Sequence, residues 1–229
     1  PGWLETLIAC ADETGAGAVG PLYLIGGGDV PTRVHMAGGT LEWIDTPSGR
    51  VLRELHADAG SDPGKLADTS VRAPCGYVEY HCVLVRTAAA RDGAPFDPEI
   101  FCVHEHIDRA LTLAQRGYAT WSEPRARVTY LATEPWALGE LAHRRRRWSL
   151  ETRNASIAAF CRKWGVADDE RSFGGVRAFL REARAAPRPA ATRGDRAARP
   201  RRGDASGRAG PDPVRAPRPG VRSRLRAAG

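Results

Sequence analysis

Glu105-His106-Ile107-Asp108-Arg109-Ala110-Leu111-Thr112-Leu113-Ala114-Gln115-Arg116-Gly117-Tyr118, continuing to Ala126-Arg127-Val128-Thr129-Tyr130-Leu131, carries the change of period that decides the fold. Ala110, Leu111, Leu113 and Ala114 recur at helical spacing and predict a helix over residues 105–116, with Gly117 as its cap. Strand patterning then takes over around residues 126–131. Upstream, Trp3, Leu4, Leu7, Ile8 and Ala11 predict a helix over residues 3–13, halted by Gly15 and Gly17. The short apolar run 18–25, bounded by glycines, predicts a buried strand. Residues 77–86 alternate as a strand with Tyr80, Cys82 and Leu84 on one face. Beyond Pro135, apolar residues from Trp136 to Trp164 return to helical spacing, and residues 176–184 predict a further short helix. Helices and strands interleave throughout, which predicts an α/β layer architecture.

Between these elements, residues 26–74 are rich in Gly, Asp, Pro and Thr. Weak apolar patches at 32–36 and 41–44 predict only short strands within a long excursion, the kind of loop that often acts as a lid.

Charge separates the chain into two parts. Residues 186–229 hold twelve Arg and three Asp, no aromatic residue, and no aliphatic side chain larger than alanine except Val214, Val221 and Leu225. Such a segment buries too little apolar surface to offset its ordering entropy, so a disordered tail is expected. The overall charge of +7 resides there, because residues 1–185 sum to −2. Those residues contain all six Trp, five Tyr and five Phe, enough for a core. Cys10, Cys75, Cys82, Cys102 and Cys161 are odd in number and lack CxxC spacing, which predicts reduced thiols. No apolar run reaches the roughly 18 residues of a membrane span and no leader opens the sequence, so a cytoplasmic protein is expected. A chain beginning at Pro1 without an initiator Met suggests a fragment.

Gly15-Ala16-Gly17-Ala18-Val19-Gly20 spells GxGxxG. A dinucleotide site needs a strand before those glycines and a helix after them; here the order is reversed, so a helix stop and turn is the reading. His104-Glu105-His106-Ile107-Asp108 begins like HExxH but has Asp108 where the second His belongs, leaving two ligands without a third. Read without any parallel, Glu105 and Asp108 simply favour a helix N-terminus, by about 0.3 to 1 kcal/mol each. Arg144-Arg145-Arg146-Arg147 and the tail raise a nucleic-acid reading. The run spreads around a helix and the tail has no aromatic on which a base could stack, so solvated charge is preferred. The alternative is a non-catalytic binding fragment whose basic tail contacts nucleic acid or anionic surfaces. A shifted reading frame in a GC-rich gene would also give such a tail.

Several stretches, taken in order, resemble the second half of a family 2 glycosyltransferase with the GT-A fold. Pro1-Gly2-Trp3-Leu4-Glu5-Thr6-Leu7 resembles the helix that follows that family's metal-binding DxD motif. Phe96-Asp97-Pro98-Glu99-Ile100-Phe101 resembles its FDExxF turn, and Glu105 to Leu113 with Gly117-Tyr118 its EDxDLxxRLxxxGY helix. Glu123-Pro124-Arg125-Ala126-Arg127-Val128 is similar to a following strand, and Arg162-Lys163-Trp164-Gly165 to a terminal RxKWG. The likeness spans residues 1–180.

The resemblance implies a partial Rossmann-like mixed sheet with flanking helices over residues 1–185, the acceptor side of an inverting transferase. Its substrates would be a nucleotide-sugar donor and a hydroxyl-bearing acceptor. Inversion requires a base to take the acceptor proton, worth roughly 10² to 10⁴ in rate. It also requires a divalent cation such as Mg²⁺ or Mn²⁺ on the departing diphosphate. Glu105, His106 and Asp108 are the implied catalytic residues. His106 stands where the family has its base Asp, which leaves the base as Glu105 or His106. Asp97 would shape the turn, and His81 and His104 the acceptor site, although a partly buried strand histidine is the plainer reading of His81. The resemblance places the donor-binding half and DxD before Pro1. It therefore implies no cofactor-binding residue in this chain, names no metal ligand, and predicts that the chain alone is inactive.

Overall fold

The computed structural model describes residues 2–27, 30–66, 71–92, 96–131, 141–147 and 149–185. The chain divides after Ala186, and every described residue belongs to the first unit. The tail expectation for 186–229, like parts of the helical stretch expected after Pro135, lies outside the described residues.

Helix α1 (Trp3–Thr14) ends at Gly15, whose φ of 70° is left-handed, and β1 (Ala18–Gly27) follows at once. The structure thus puts a helix before the GxGxxG stretch and a strand that begins within it, at Ala18. Leu7, Cys10 and Ala11 of α1 pack on Val19 and Ala126. Strand β1 pairs antiparallel with β2 (Val30–Met36) and parallel with β7 (Thr120–Leu131). Beyond β7 lies the short β5 (Ala73–Cys75), and β6 (Leu84–Val85) pairs with the start of β1. The result is a mixed α/β arrangement with a five-stranded mixed sheet and flanking helices.

Pro124 lies inside β7, where it has no N–H for the ladder. The register between β1 and β7 slips at that point, from Pro21↔Glu123 to Leu22↔Arg127, and the bulge absorbs the missing donor. Glu123 holds the bulge together. Its fully buried carboxylate accepts the Arg125 amide at 3.1 Å, the Arg125 Nε at 3.0 Å and the Arg72 Nε at 2.7 Å.

Two expectations are corrected. Residues 26–74 are more regular than their composition suggests, because β3 (Gly39–Thr46) and β4 (Gly49–His56) form an eight-pair hairpin. Pro47 and Ser48 make its two-residue turn, which the Thr46 hydroxyl closes by donating to the Gly49 carbonyl at 2.6 Å. Residues 77–86 do not form one strand. Only an isolated bridge at Tyr77 and the two residues of β6 pair, and between them the carbonyls of Glu79 and Cys82 are satisfied by a side chain, the Tyr23 hydroxyl.

The other face of the sheet packs on α4 (Glu105–Gln115), α6 (Leu150–Trp164) and α7 (Glu170–Ala185), with Ile107, Ile157, Phe160 and Phe173 in the core. The hairpin is tied to this layer: Leu52 N–H donates to the Ser172 hydroxyl at 3.0 Å, and Ala167 N–H to the Arg50 carbonyl at 2.7 Å. Short helices α2 (Pro63–Leu66), α3 (Thr87–Arg91) and α5 (Leu141–Arg147) complete the described elements. All five cysteines are free thiols, Cys10 and Cys102 buried and the others partly so. Among the described residues no helix is long and apolar enough to cross a membrane.

Candidate functional site

The chain has six histidines, and five of them gather in one region although they come from separate segments. His35 lies in β2, His56 at the end of β4, His81 in the irregular segment before β6, and His104 and His106 at the start of α4. Tyr23 fixes the irregular segment. Fully buried in β1, it shares its hydroxyl proton between the carbonyls of Glu79 at 2.6 Å and Cys82 at 2.8 Å, which sets the Glu79 and His81 side chains over the sheet.

Glu79 is the hub. Its Oε1 lies 3.7 Å from His56 Nε2, 3.9 Å from His106 Nε2 and 4.0 Å from His35 Nε2, and only 15% of its side chain is exposed. A second carboxylate, Glu54, stands 3.7 Å from the same His106 nitrogen. These separations suit ion pairs and exceed hydrogen-bond length. Accordingly His35 Nε2, His106 Nε2, Glu54 Oε2 and the Tyr77 hydroxyl are buried without a hydrogen-bond partner. Around them the rings of His35 and His56 meet edge to face at 5.0 Å, and His81 stacks on Tyr130 at 4.4 Å. Tyr77 forms the floor, 5.5 Å from the His106 ring and 6.1 Å from that of His56.

The electrostatics differ from one imidazole to the next. Burial, then the neighbouring His56, lowers His35 to about 4, so it is neutral near pH 7. Burial also lowers His81. Burial opposes charge on His106 too, but the carboxylates of Glu54 and Glu79 outweigh it and raise its pKa. At Glu54 the balance mirrors this: burial pushes the carboxyl up, and the adjacent His106, with His104, brings it below its ordinary value.

The residues singled out by sequence separate into two groups. His106 and His81 join the cluster. Glu105 is half-buried at the head of α4 and forms no ion pair with any of these histidines among the described residues. His81 lies in a turn rather than in a strand.

His104 is corrected to a core residue. Only 3% exposed, it packs between Phe160 and Phe173 at 4.9 Å from each, and burial lowers it to about 4. Asp108 is likewise engaged within the fold. Its buried carboxylate accepts the Trp164 indole N–H at 2.8 Å and the Lys163 ammonium at 3.0 Å. Lys163 also reaches Asp97 at 3.1 Å, and Asp97 in turn accepts the Glu99 amide at 3.0 Å, closing the turn it was expected to shape. The Lys-Trp pair at residues 163 and 164 is therefore a clamp on α4.

His35, Glu54, His56 and Glu79 were missed. They come from three segments with no common spacing; the only available signal was that most of a small stock of histidines falls between residues 35 and 106. His35, His56 and Glu79 present one donor atom each, all within 4.8 Å of one another, the geometry of a metal-ligand set. The cluster as a whole offers proton-accepting imidazoles beside carboxylates, and its His81 stacks on Tyr130 near the carboxyl end of β7. No family model matches the chain, and no curated protein matches it.

Proposed function

We propose that this chain is the acceptor-side part of an inverting nucleotide-sugar glycosyltransferase of the family 2 type, with the GT-A fold. The ordered motifs described above support it, and one structural observation carries it. His106, at the position of the family's base, lies 3.7 Å from Glu54 and 3.9 Å from Glu79, and His81 of the same cluster stacks on Tyr130 near the carboxyl end of β7. That end of an α/β sheet is where ligands bind.

In this reading His106 is the base, in preference to Glu105. The neutral ring keeps its proton on Nε2, facing the two carboxylates, and its other nitrogen takes the acceptor hydroxyl proton. The freed oxygen bonds to the anomeric carbon as the bond to the nucleoside diphosphate breaks. Glu54 and Glu79 stabilise the imidazolium that results. Asp108 and Asp97 act at one remove, by holding α4 against α6. No DxD triplet occurs in the sequence, so the residues present do not supply the family's cation site and no step is assigned to that ion.

The test is transfer of a radiolabelled sugar from a panel of nucleotide sugars, measured on the longest natural form of the protein. His106→Ala is expected to lower kcat by roughly 10² to 10⁴ with acceptor binding retained. Wild-type rates in that variant would overturn the assignment.

A further inference from the structure

We propose that His35, His56 and Glu79 bind a divalent transition-metal ion of the zinc class. This site goes beyond the glycosyl-transfer reading and does not rest on it.

The three residues arrive from β2, β4 and the segment before β6, yet their donor atoms all lie within 4.8 Å of one another. Both imidazoles turn Nε2 toward the same Glu79 oxygen, at 4.0 and 3.7 Å. Bonds of about 2.0 to 2.2 Å in a tetrahedron put donor atoms roughly 3.3 Å apart, so small side-chain rotations suffice to close the set. His35 Nε2 is buried with no hydrogen bond, an expense that coordination removes.

The charges argue the same way. Among the described residues the ion-pair partners of the Glu79 carboxylate within 4 Å are all histidines, and no Lys or Arg is among them. Two imidazoles and one carboxylate suit zinc, cobalt or nickel, whereas magnesium and calcium require an oxygen-rich shell. Three protein ligands leave a fourth position for water or substrate, as in catalytic zinc sites. The outer shell is in place. His106 Nε2 is 3.9 Å from the Glu79 oxygen, and the Tyr23 hydroxyl fixes the Glu79 backbone at 2.6 Å.

Isothermal titration of the full chain with ZnCl₂ tests the proposal, with MgCl₂ in parallel. One zinc per chain is expected, with no magnesium uptake at the same concentrations. His35→Ala and His56→Ala should each weaken zinc binding by at least about tenfold. Glu79→Gln preserves volume and serves where an alanine variant fails to fold, as judged by far-UV circular dichroism. Cobalt(II) should give visible ligand-field bands without a thiolate charge-transfer band. Absence of zinc binding, equal binding of magnesium, binding unchanged in both histidine variants, or a thiolate band tracing the ion to Cys75 or Cys82 would each overturn the site. Loss of sugar transfer alone would leave it standing.

Discussion

The Trp164 indole N–H donates to Asp108 Oδ1 across 2.8 Å, joining the last residue of α6 to the first turn of α4. The adjacent Lys163 bridges Asp108 and Asp97, so one carboxylate organises both a helix contact and the preceding turn.

Asp108→Ala removes the acceptor of the half-buried Trp164 indole N–H and one of the two carboxylates that hold Lys163. A loss of about 1 to 3 kcal/mol in urea denaturation is expected, and a smaller loss for Asp108→Asn, which retains an acceptor for Trp164. Stability equal to wild type in both variants would return Asp108 to a directly catalytic role.

Tyr23→Phe removes the one hydroxyl that serves the Glu79 and Cys82 carbonyls. The expected cost is about 1 to 3 kcal/mol, with faster amide exchange confined to residues 79–82. Exchange that rises equally across the whole sheet would show that Tyr23 does not hold that segment locally.

Gly39→Ala places a methyl group 2.2 Å from the Tyr77 ring, which is fully buried beneath the histidines. One side must move, at about 1 to 3 kcal/mol, and the melting temperature should fall accordingly. Tyr77→Ala in the same chain should recover part of the clash while adding its own cavity cost, a non-additivity that a double-mutant cycle reads directly.

Acid stability should depend on Glu123. Burial opposes its charge, but Arg125 and Arg72 outweigh burial and hold the carboxyl at about 2, against 4.5 for the free group. A carboxyl lowered on folding contributes fully above its unfolded value and loses that contribution as pH falls from about 4.5 toward 2. The contribution is on the order of 2 to 3 kcal/mol. Glu123→Gln should lower stability at pH 7 and flatten the stability curve in that window; an unchanged slope would contradict the linkage.

Local order was legible wherever period and punctuation agreed. Trp3 to Ala11 followed by Gly15 gave α1, and Ala110 to Leu113 followed by Gly117 gave α4, because side-chain period and a left-handed stop are both local. The β3–β4 hairpin was only partly legible: the patch from Leu41 to Ile44 was visible, but Leu52 and Val51 were not read as the partners of Trp43 and Ile44 across the Pro47-Ser48 turn. The segment before β6 misled because its alternation was real while its carbonyls bond to Tyr23, a residue more than fifty positions away. At the site, His106 was visible because it sits in a motif, whereas Glu54, His56 and His35 acquire meaning only when β2 and β4 converge on Glu79.

Ser172 and Ala167 grip β4 four to six residues before His56, and Glu54 lies between. Helix α7, with Ala167 just before it, thus braces the strand whose far half carries two of the clustered side chains. Deleting that helix would disorder the cluster without altering any residue in it, so a shortened protein that still melts cooperatively could nonetheless have lost its chemistry.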